Sequence, residues 1–276
     1  MSEARTVAVT VVDAHVHLLP GRLGEKVRQV FAPLADDLAY PAAHDAVREQ
    51  LRSEGVDEAW TLPYAHRPGV AEWLNEQTAL IVATPGPVTL IGGATTHPGD
   101  VEPAAIVRRA VDEHGAQVLK LHCSVGDFDA GDERLDDVWD AVSTLGLPVV
   151  VHVGHATNGQ TSAADLAPVG AVATRFPDAR IIVAHCGHPD VDAALDLLEQ
   201  HPHVFADLTP VMTAAPIVPA ERLADVADKL LFGSDAPNVT ISAADRLATI
   251  RALPLDSESI AAIIGGTARR LRMRLA

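Results

Sequence analysis

The sequence predicts an α/β protein, a (β/α)8 TIM barrel in a single domain over residues 1–276 with a C-terminal helix. Three observations predict it. Short, nearly continuous runs of Val, Ile and Leu recur along the chain, as in strands buried on both faces of a parallel sheet. Amphipathic segments with helical spacing separate them. Eight such pairs within 276 residues match the size and order of this barrel. A doubly wound open sheet would want a Gly-rich phosphate loop after the first run, and none is there.

The apolar runs fall at residues 7–14, 56–62, 88–94, 117–122, 148–153, 180–185, 203–208 and 229–235. The helical segments fall at 43–54, 69–83, 101–114, 132–145, 161–175, 190–200, 220–228, 242–253 and 256–272. Segment 101–114 has Pro103 near its start and Gly115 just past its end, the expected asymmetry of helix termini. Segment 132–145 places Leu135, Val138, Trp139, Val142 and Leu145 on one stripe and stops at Gly146. Segment 190–200 repeats the pattern with Val191, Ala194, Leu195 and Leu198. Trp60, Trp73 and Trp139 read as packing residues, with Trp60 and Tyr64 placed to wall a pocket.

Twenty-one basic residues stand against thirty-seven acidic ones, a formal charge of −16. A nucleic-acid surface needs clustered Lys and Arg, and anionic lipid attracts basic segments, so neither partner is expected. A local basic pocket is still compatible with this charge. No apolar run approaches the roughly twenty residues that span a bilayer. The start lacks the cationic and apolar stretches of a signal peptide. Two cysteines, Cys123 and Cys186, cannot form a disulfide framework, so the expected location is the cytoplasm. The unusual count is histidine, at thirteen.

Many of these histidines close strands. His15 and His17 end the first run, and side chains two apart on a strand share a face, so both can reach one metal. Lys120 and His122 end the fourth run, His152 the fifth, His185 the sixth, Asp207 the seventh and Asp235 the eighth. In a TIM barrel the C-terminal strand ends converge on the active-site face. So many polar groups buried together need partners, and a divalent cation satisfies several at once. Imidazole and carboxylate without thiolate favour zinc and also suit other first-row metals.

These residues carry a resemblance to the amidohydrolase superfamily, in its amidohydrolase-related (amidohydrolase 2) branch. The matching stretches include Val12-Asp13-Ala14-His15-Val16-His17, Leu119-Lys120-Leu121-His122, Pro148-Val149-Val150-Val151-His152-Val153-Gly154, Ala184-His185-Cys186-Gly187 and Phe232-Gly233-Ser234-Asp235-Ala236-Pro237. The run Ile264-Gly265-Gly266-Thr267-Ala268-Arg269-Arg270-Leu271 fits as well, with Thr267 where the family usually has Asn. The resemblance implies a metal-dependent barrel in which His15, His17, His152 and Asp235 hold one divalent metal, zinc by preference. It further implies that His185 and Asp235 are catalytic, with Asp235 exchanging a proton with the attacking water. The expected activity is hydrolysis of an amide, ester or lactone-type bond in a small molecule. The alternative is decarboxylation of an unsaturated or aromatic carboxylic acid on the same site.

Lys120 has two readings. Carbamylated, it bridges a second metal, as in binuclear members; unmodified, its ammonium hydrogen-bonds or neutralises a substrate carboxylate. His122, His155, His188 and Arg67 are further candidates for substrate or second-metal contact, Arg67 through a carboxylate. His97 is a candidate at the barrel mouth. A homodimer is the expected assembly, from the prevalence of two-fold oligomers.

Overall fold

The computed structural model describes residues 9–31, 33, 37–154, 161–209 and 218–273. Eight parallel strands run in the order β1 to β8: β1 (Val12–Val16), β2 (Glu58–Thr61), β3 (Thr89–Thr95), β4 (Val118–Leu121), β5 (Val149–Val151), β6 (Ile181–Val183), β7 (Val204–Asp207) and β8 (Leu230–Leu231). The seam between β8 and β1 closes through the Ala14 N–H on the Phe232 carbonyl, 2.9 Å, and a parallel bridge between Val16 and Ala236. The fold is a (β/α)8 TIM barrel.

Among the described residues twelve α-helices alternate with or extend these strands: α1 (Gly21–Val30), α2 (His44–Ser53), α3 (Ala71–Ala83), α4 (Pro103–Asp112), α5 (Cys123–Gly126), α6 (Asp136–Leu145), α7 (Ser162–Arg175), α8 (Val191–Gln200), α9 (Ala220–Val226), α10 (Ala243–Arg251), α11 (Ser257–Ala261) and α12 (Thr267–Leu271). Local chemistry sets several ends. Pro103 opens α4 where its missing N–H costs nothing, and Gly146 ends α6 in the left-handed conformation at φ 62°. Thr161 and Ser242 cap α7 and α10 by accepting the backbone N–H of Ala164 and Asp245.

Strand residues divide between two apolar layers. Val12, Ala14, Trp60, Ile91, Val150 and Ile182 fill the barrel interior, while Val16, Leu119, Val149 and Ile181 pack outward against the helices. Each fully buried Leu or Val stabilises the fold by about 1.5–3 kcal/mol through area removed from water. In β1 the pairing with β2 slips, with Asp13 opposite Ala59 but Val16 opposite Thr61. One extra residue on β1 is a bulge, a device that re-aims side chains beside functional sites.

Several elements depart from the sequence expectation. The eighth run, 229–235, keeps only Leu230–Leu231 as strand, because the Phe232 N–H bonds the Ile263 carbonyl instead of a strand neighbour. The expected helix over 256–272 is broken by a π-type stretch at Ala262–Gly266. There Gly265 passes so near β1 that a Cβ would sit 2.0 Å from the Thr10 carbonyl oxygen. Helix α1 lies in a segment the sequence leaves as loop; its Leu23, Val27 and Val30 fall on one stripe, but none of its residues is fully buried. Trp73, expected to pack, is 47% exposed on α3. Among the described residues no helix is long and apolar enough to cross a membrane.

Candidate metal centre

The centre sits at the C-terminal strand ends, where β1 delivers His15 and His17 and the turn after β8 delivers Asp235. Ligand atoms of these three residues lie within 4.8 Å of one another. The two imidazole Nε2 atoms are 3.1 Å apart, and Asp235 Oδ1 is 3.3 Å from His17 Nε2 and 3.8 Å from His15 Nε2. His15 is fully buried, whereas the His17 and Asp235 side chains are 13% and 28% exposed, so the centre opens on their side.

Hydrogen bonds assign the tautomers. His17 Nδ1–H donates to the Leu62 carbonyl at 2.8 Å, and a carbonyl can only accept. His15 Nδ1–H donates to Asp207 Oδ2 at 2.8 Å. In neutral rings both Nε2 atoms are then the acceptor nitrogens, facing each other and a carboxylate oxygen. Three electron-pair donors converge there, an arrangement that suits a cation. Lys120 Nζ lies 3.3 Å from His15 Nε2 but makes no ion pair with Asp235. The donor set fits a first-row divalent metal.

A second pair adjoins the first. His185 Nδ1–H donates to the Thr209 carbonyl, and His152 Nε2–H donates to the Gly154 carbonyl at 2.8 Å. Their remaining lone pairs, His185 Nε2 and His152 Nδ1, face each other at 3.3 Å. Rings of His15 and His185 are 5.1 Å apart, so the two groups share one mouth. His152 thus stands beside the His15–His17–Asp235 triad and offers Nδ1, since Nε2 is occupied. His122 stacks on His152 at 3.8 Å, and Tyr64 packs against both His122 and His17.

Burial governs the electrostatics. It pushes His15 down to about 4, with Lys120 acting the same way and Asp207 opposing, and holds His122 and His152 well below the usual imidazole range. His185 is lowered, again chiefly by burial. All four imidazoles are neutral at pH 7, the state a metal ligand needs. Burial also lowers Lys120 to about 8, against the pull of Asp207 and Asp235. For Asp235 burial acts upward, but His17, His15 and His185 together hold the carboxyl below its ordinary range. Asp207 is lowered in the same way: burial opposes, His15 prevails.

Backbone shape supports this placement. Asp235 has φ 63° and His185 φ 57°, left-handed values that side chains seldom adopt and that concentrate at functional sites. At Gly233 a Cβ would lie 2.3 Å from Thr209 Oγ1 and 2.8 Å from the His15 Cβ, so any side chain there would displace His15.

Other sequence candidates scatter. Arg67 is exposed in the loop after β2. His97 uses both ring nitrogens structurally, Nε2 on the Gly126 carbonyl and Nδ1 accepting the Gly99 N–H, so it is a loop brace. His188 follows the His185 turn, its N–H on the His185 carbonyl. His155 lies outside the described residues. Sequence reasoning gave no role to Asp207, Asp13 or Arg246. Asp207 ends a strand and was visible as such; Arg246 carries a subtler signal, a charge on the apolar stripe of Ala243, Leu247 and Ile250.

A groove of about 690 Å³ leads from His17 between α1 and the turn after β8. Leu19, Arg28, His44, Pro237 and Asn238 line it. Among the described residues Arg28 is its only arginine or lysine; its Nη2 donates to the Tyr40 carbonyl at 2.8 Å, while its Nη1 contacts, to Pro41, Pro237 and Asn238 oxygens, are all 3.4–3.5 Å. Among the described residues it makes no ion pair.

The amidohydrolase family model aligns with residues 12–271. The chain belongs to that family. No curated protein matches it. Among solved structures, an uncharacterised TIM-barrel protein from Bordetella bronchiseptica superposes with a TM-score of 0.74 at 17% identity, covering 95% of this chain and 98% of that one. A dihydroxybenzoic acid decarboxylase from Polaromonas with bound manganese gives 0.72 at 15% identity over 96% and 97% of the two chains. The 5-carboxyvanillate decarboxylase of Sphingomonas paucimobilis gives 0.69 at 16% identity over 98% and 100%. At these identities the likeness is one of fold.

Proposed function

We propose that this chain is a divalent-metal enzyme that decarboxylates a small aromatic or unsaturated carboxylic acid. The observation that carries the metal reading is the convergence of proton-free donor atoms from His15, His17 and Asp235, with His152 Nδ1 and His185 Nε2 beside them. Those residues would hold one metal, which supplies Lewis acidity to an oxygen of the bound acid. Zinc suits the donor set; manganese is what the Polaromonas neighbour holds.

The chain's own groups supply the remaining chemistry. Tyr64 and the stacked His122–His152 pair form an aromatic wall suited to a planar substrate, with Tyr64 tilted 56° to His122. Arg28 supplies a fixed positive charge in the groove, which an anionic substrate needs in a chain of net charge −16. Asp235, ionised at rest, would first take a proton from solvent and then pass it to the carbon that loses carbon dioxide, so the C–C bond breaks and a C–H bond forms. His185 Nε2 is free of any backbone partner and can hold the same proton or orient the substrate.

Hydrolysis is the second reading, favoured by the solvent-facing Asp235, which could take a proton from water instead. Lys120 in its unmodified form keeps the site mononuclear.

Metal content of protein purified without chelator, then carbon dioxide release from 2,6-dihydroxybenzoate by the manganese-loaded chain, tests the proposal. One metal equivalent and carbon dioxide are expected. Two equivalents would support the carbamylated Lys120. Failure to take up metal, or near-normal turnover by Asp235→Asn, overturns the assignment.

A further inference from the structure

Asp13 is the most buried carboxylate outside the metal centre, and the chemistry above leaves it without a task. Period-two alternation would put it on the same side as His15 and His17. The bulge in β1 breaks that alternation. Val12 and Ala14 face the barrel interior, so Asp13 between them points the other way, toward the helical layer.

There its Oδ1 accepts two backbone N–H groups, from Ser234 at 2.9 Å and from His15 at 3.2 Å. These two amides belong to different strand ends. One precedes Asp235 directly; the other is His15 itself. Around this point the same two segments are joined by the Asp235 N–H on the His15 carbonyl and the His17 N–H on the Ala236 carbonyl, each 2.8 Å. Ser234 Oγ accepts the Ala236 N–H at 3.0 Å, fixing the turn that gives Asp235 its left-handed backbone.

Behind Asp13, on α10, Arg246 is 2% exposed. Its Nε and Nη1 and the Asp13 Oδ2 have no hydrogen-bond partner among the described residues. The two groups are not in ion-pair contact; among charges, Arg246 feels Asp235 more than Asp13.

We propose that Asp13 is a positioning residue: its carboxylate pins the β1 and β8 ends together and so sets the spacing of His15, His17 and Asp235. This rests on the metal reading for its purpose but on backbone geometry for its existence. The positioning requires an acceptor oxygen at the Oδ1 position.

Two variants separate this from ordinary structural support. Asp13→Asn keeps an acceptor oxygen. The double variant Asp13→Leu with Arg246→Met replaces both charges by apolar groups of similar shape, the change least harmful to folding. Manganese affinity is read by chelator competition, and hydrogen exchange is followed in the metal-free chain over residues 10–18 and 230–238. Wild type and Asp13→Asn should bind within about threefold of each other. The double variant should bind about 10–100-fold more weakly, the range for groups that orient metal ligands. Its two segments should exchange faster while its melting temperature stays within a few degrees. Unchanged exchange in both segments overturns the proposal, as does affinity within twofold of wild type in a chain that binds metal. A wild-type chain that binds no metal defeats the proposed function instead, and exchange then decides the pin alone.

Discussion

Replacing Asp207 by Asn changes one atom and should disable the metal centre. The carboxylate accepts three N–H groups: His15 Nδ1 at 2.8 Å on Oδ2, and the His185 and Thr209 amides at 3.0 and 3.2 Å on Oδ1. An amide has one acceptor oxygen and one donor nitrogen. If its nitrogen faces His15, two donors oppose each other unless His15 shifts its proton to Nε2, which removes the lone pair a metal requires. If its nitrogen faces the backbone, two amide N–H groups lose their acceptor inside the protein, at about 1–3 kcal/mol each. Either orientation damages the site. The expected loss is about 10–100-fold in manganese affinity, equivalent to about 1.4–2.8 kcal/mol. The assay is chelator competition on the folded protein, with a thermal melt alongside. Affinity within twofold of wild type and an unchanged melting temperature would refute the tautomer assignment, and with it the argument that the Nε2 atoms are bare.

Asp235→Asn should lower turnover by at least about 10²–10⁴-fold, the usual worth of a placed acid or base, with circular dichroism unchanged. Metal-free protein should lose stability as pH falls from 6.5 toward 4, because the unfolded chain protonates imidazoles that burial keeps neutral in the fold. His15 alone, lowered to about 4, contributes on the order of 3 kcal/mol. His122, His152 and His185 act in the same sense, while Asp13, raised to about 7 by burial, opposes them; urea midpoints that rise on acidification would contradict this. Trp139→Phe should cost about 1–3 kcal/mol by leaving the Ala130 carbonyl without its 3.0 Å donor, read from urea unfolding. Cys186, raised to about 12 by burial, and Cys123, raised likewise, should resist thiol reagents in native protein and react on unfolding.

The barrel and the identity of its mouth were legible in the sequence because both rest on local pattern. Continuous apolar runs mark strands covered on both faces, and a His or Asp closing such a run lands on the same rim whatever the loops do. His15, His17 and Asp235 meet as that pattern implies. His152 falls beside them with its Nε2 turned to Gly154, an orientation set by a loop carbonyl that no spacing rule encodes. Arg67, a plausible carboxylate contact from its loop position, is exposed, while Arg28 enters the groove on a helix with no fully buried residue to betray it.

By itself, then, the sequence determined the strand and helix alternation and the rim residues, since periodicity and strand position are properties of neighbouring residues. Only the tertiary structure decided the proton positions on the imidazoles, the outward turn of Asp13 at the bulge and its bond from the Ser234 amide far along the chain. Each of these depends on which carbonyl, amide or charge arrives from a distant segment, and that is settled when the barrel closes between β8 and β1.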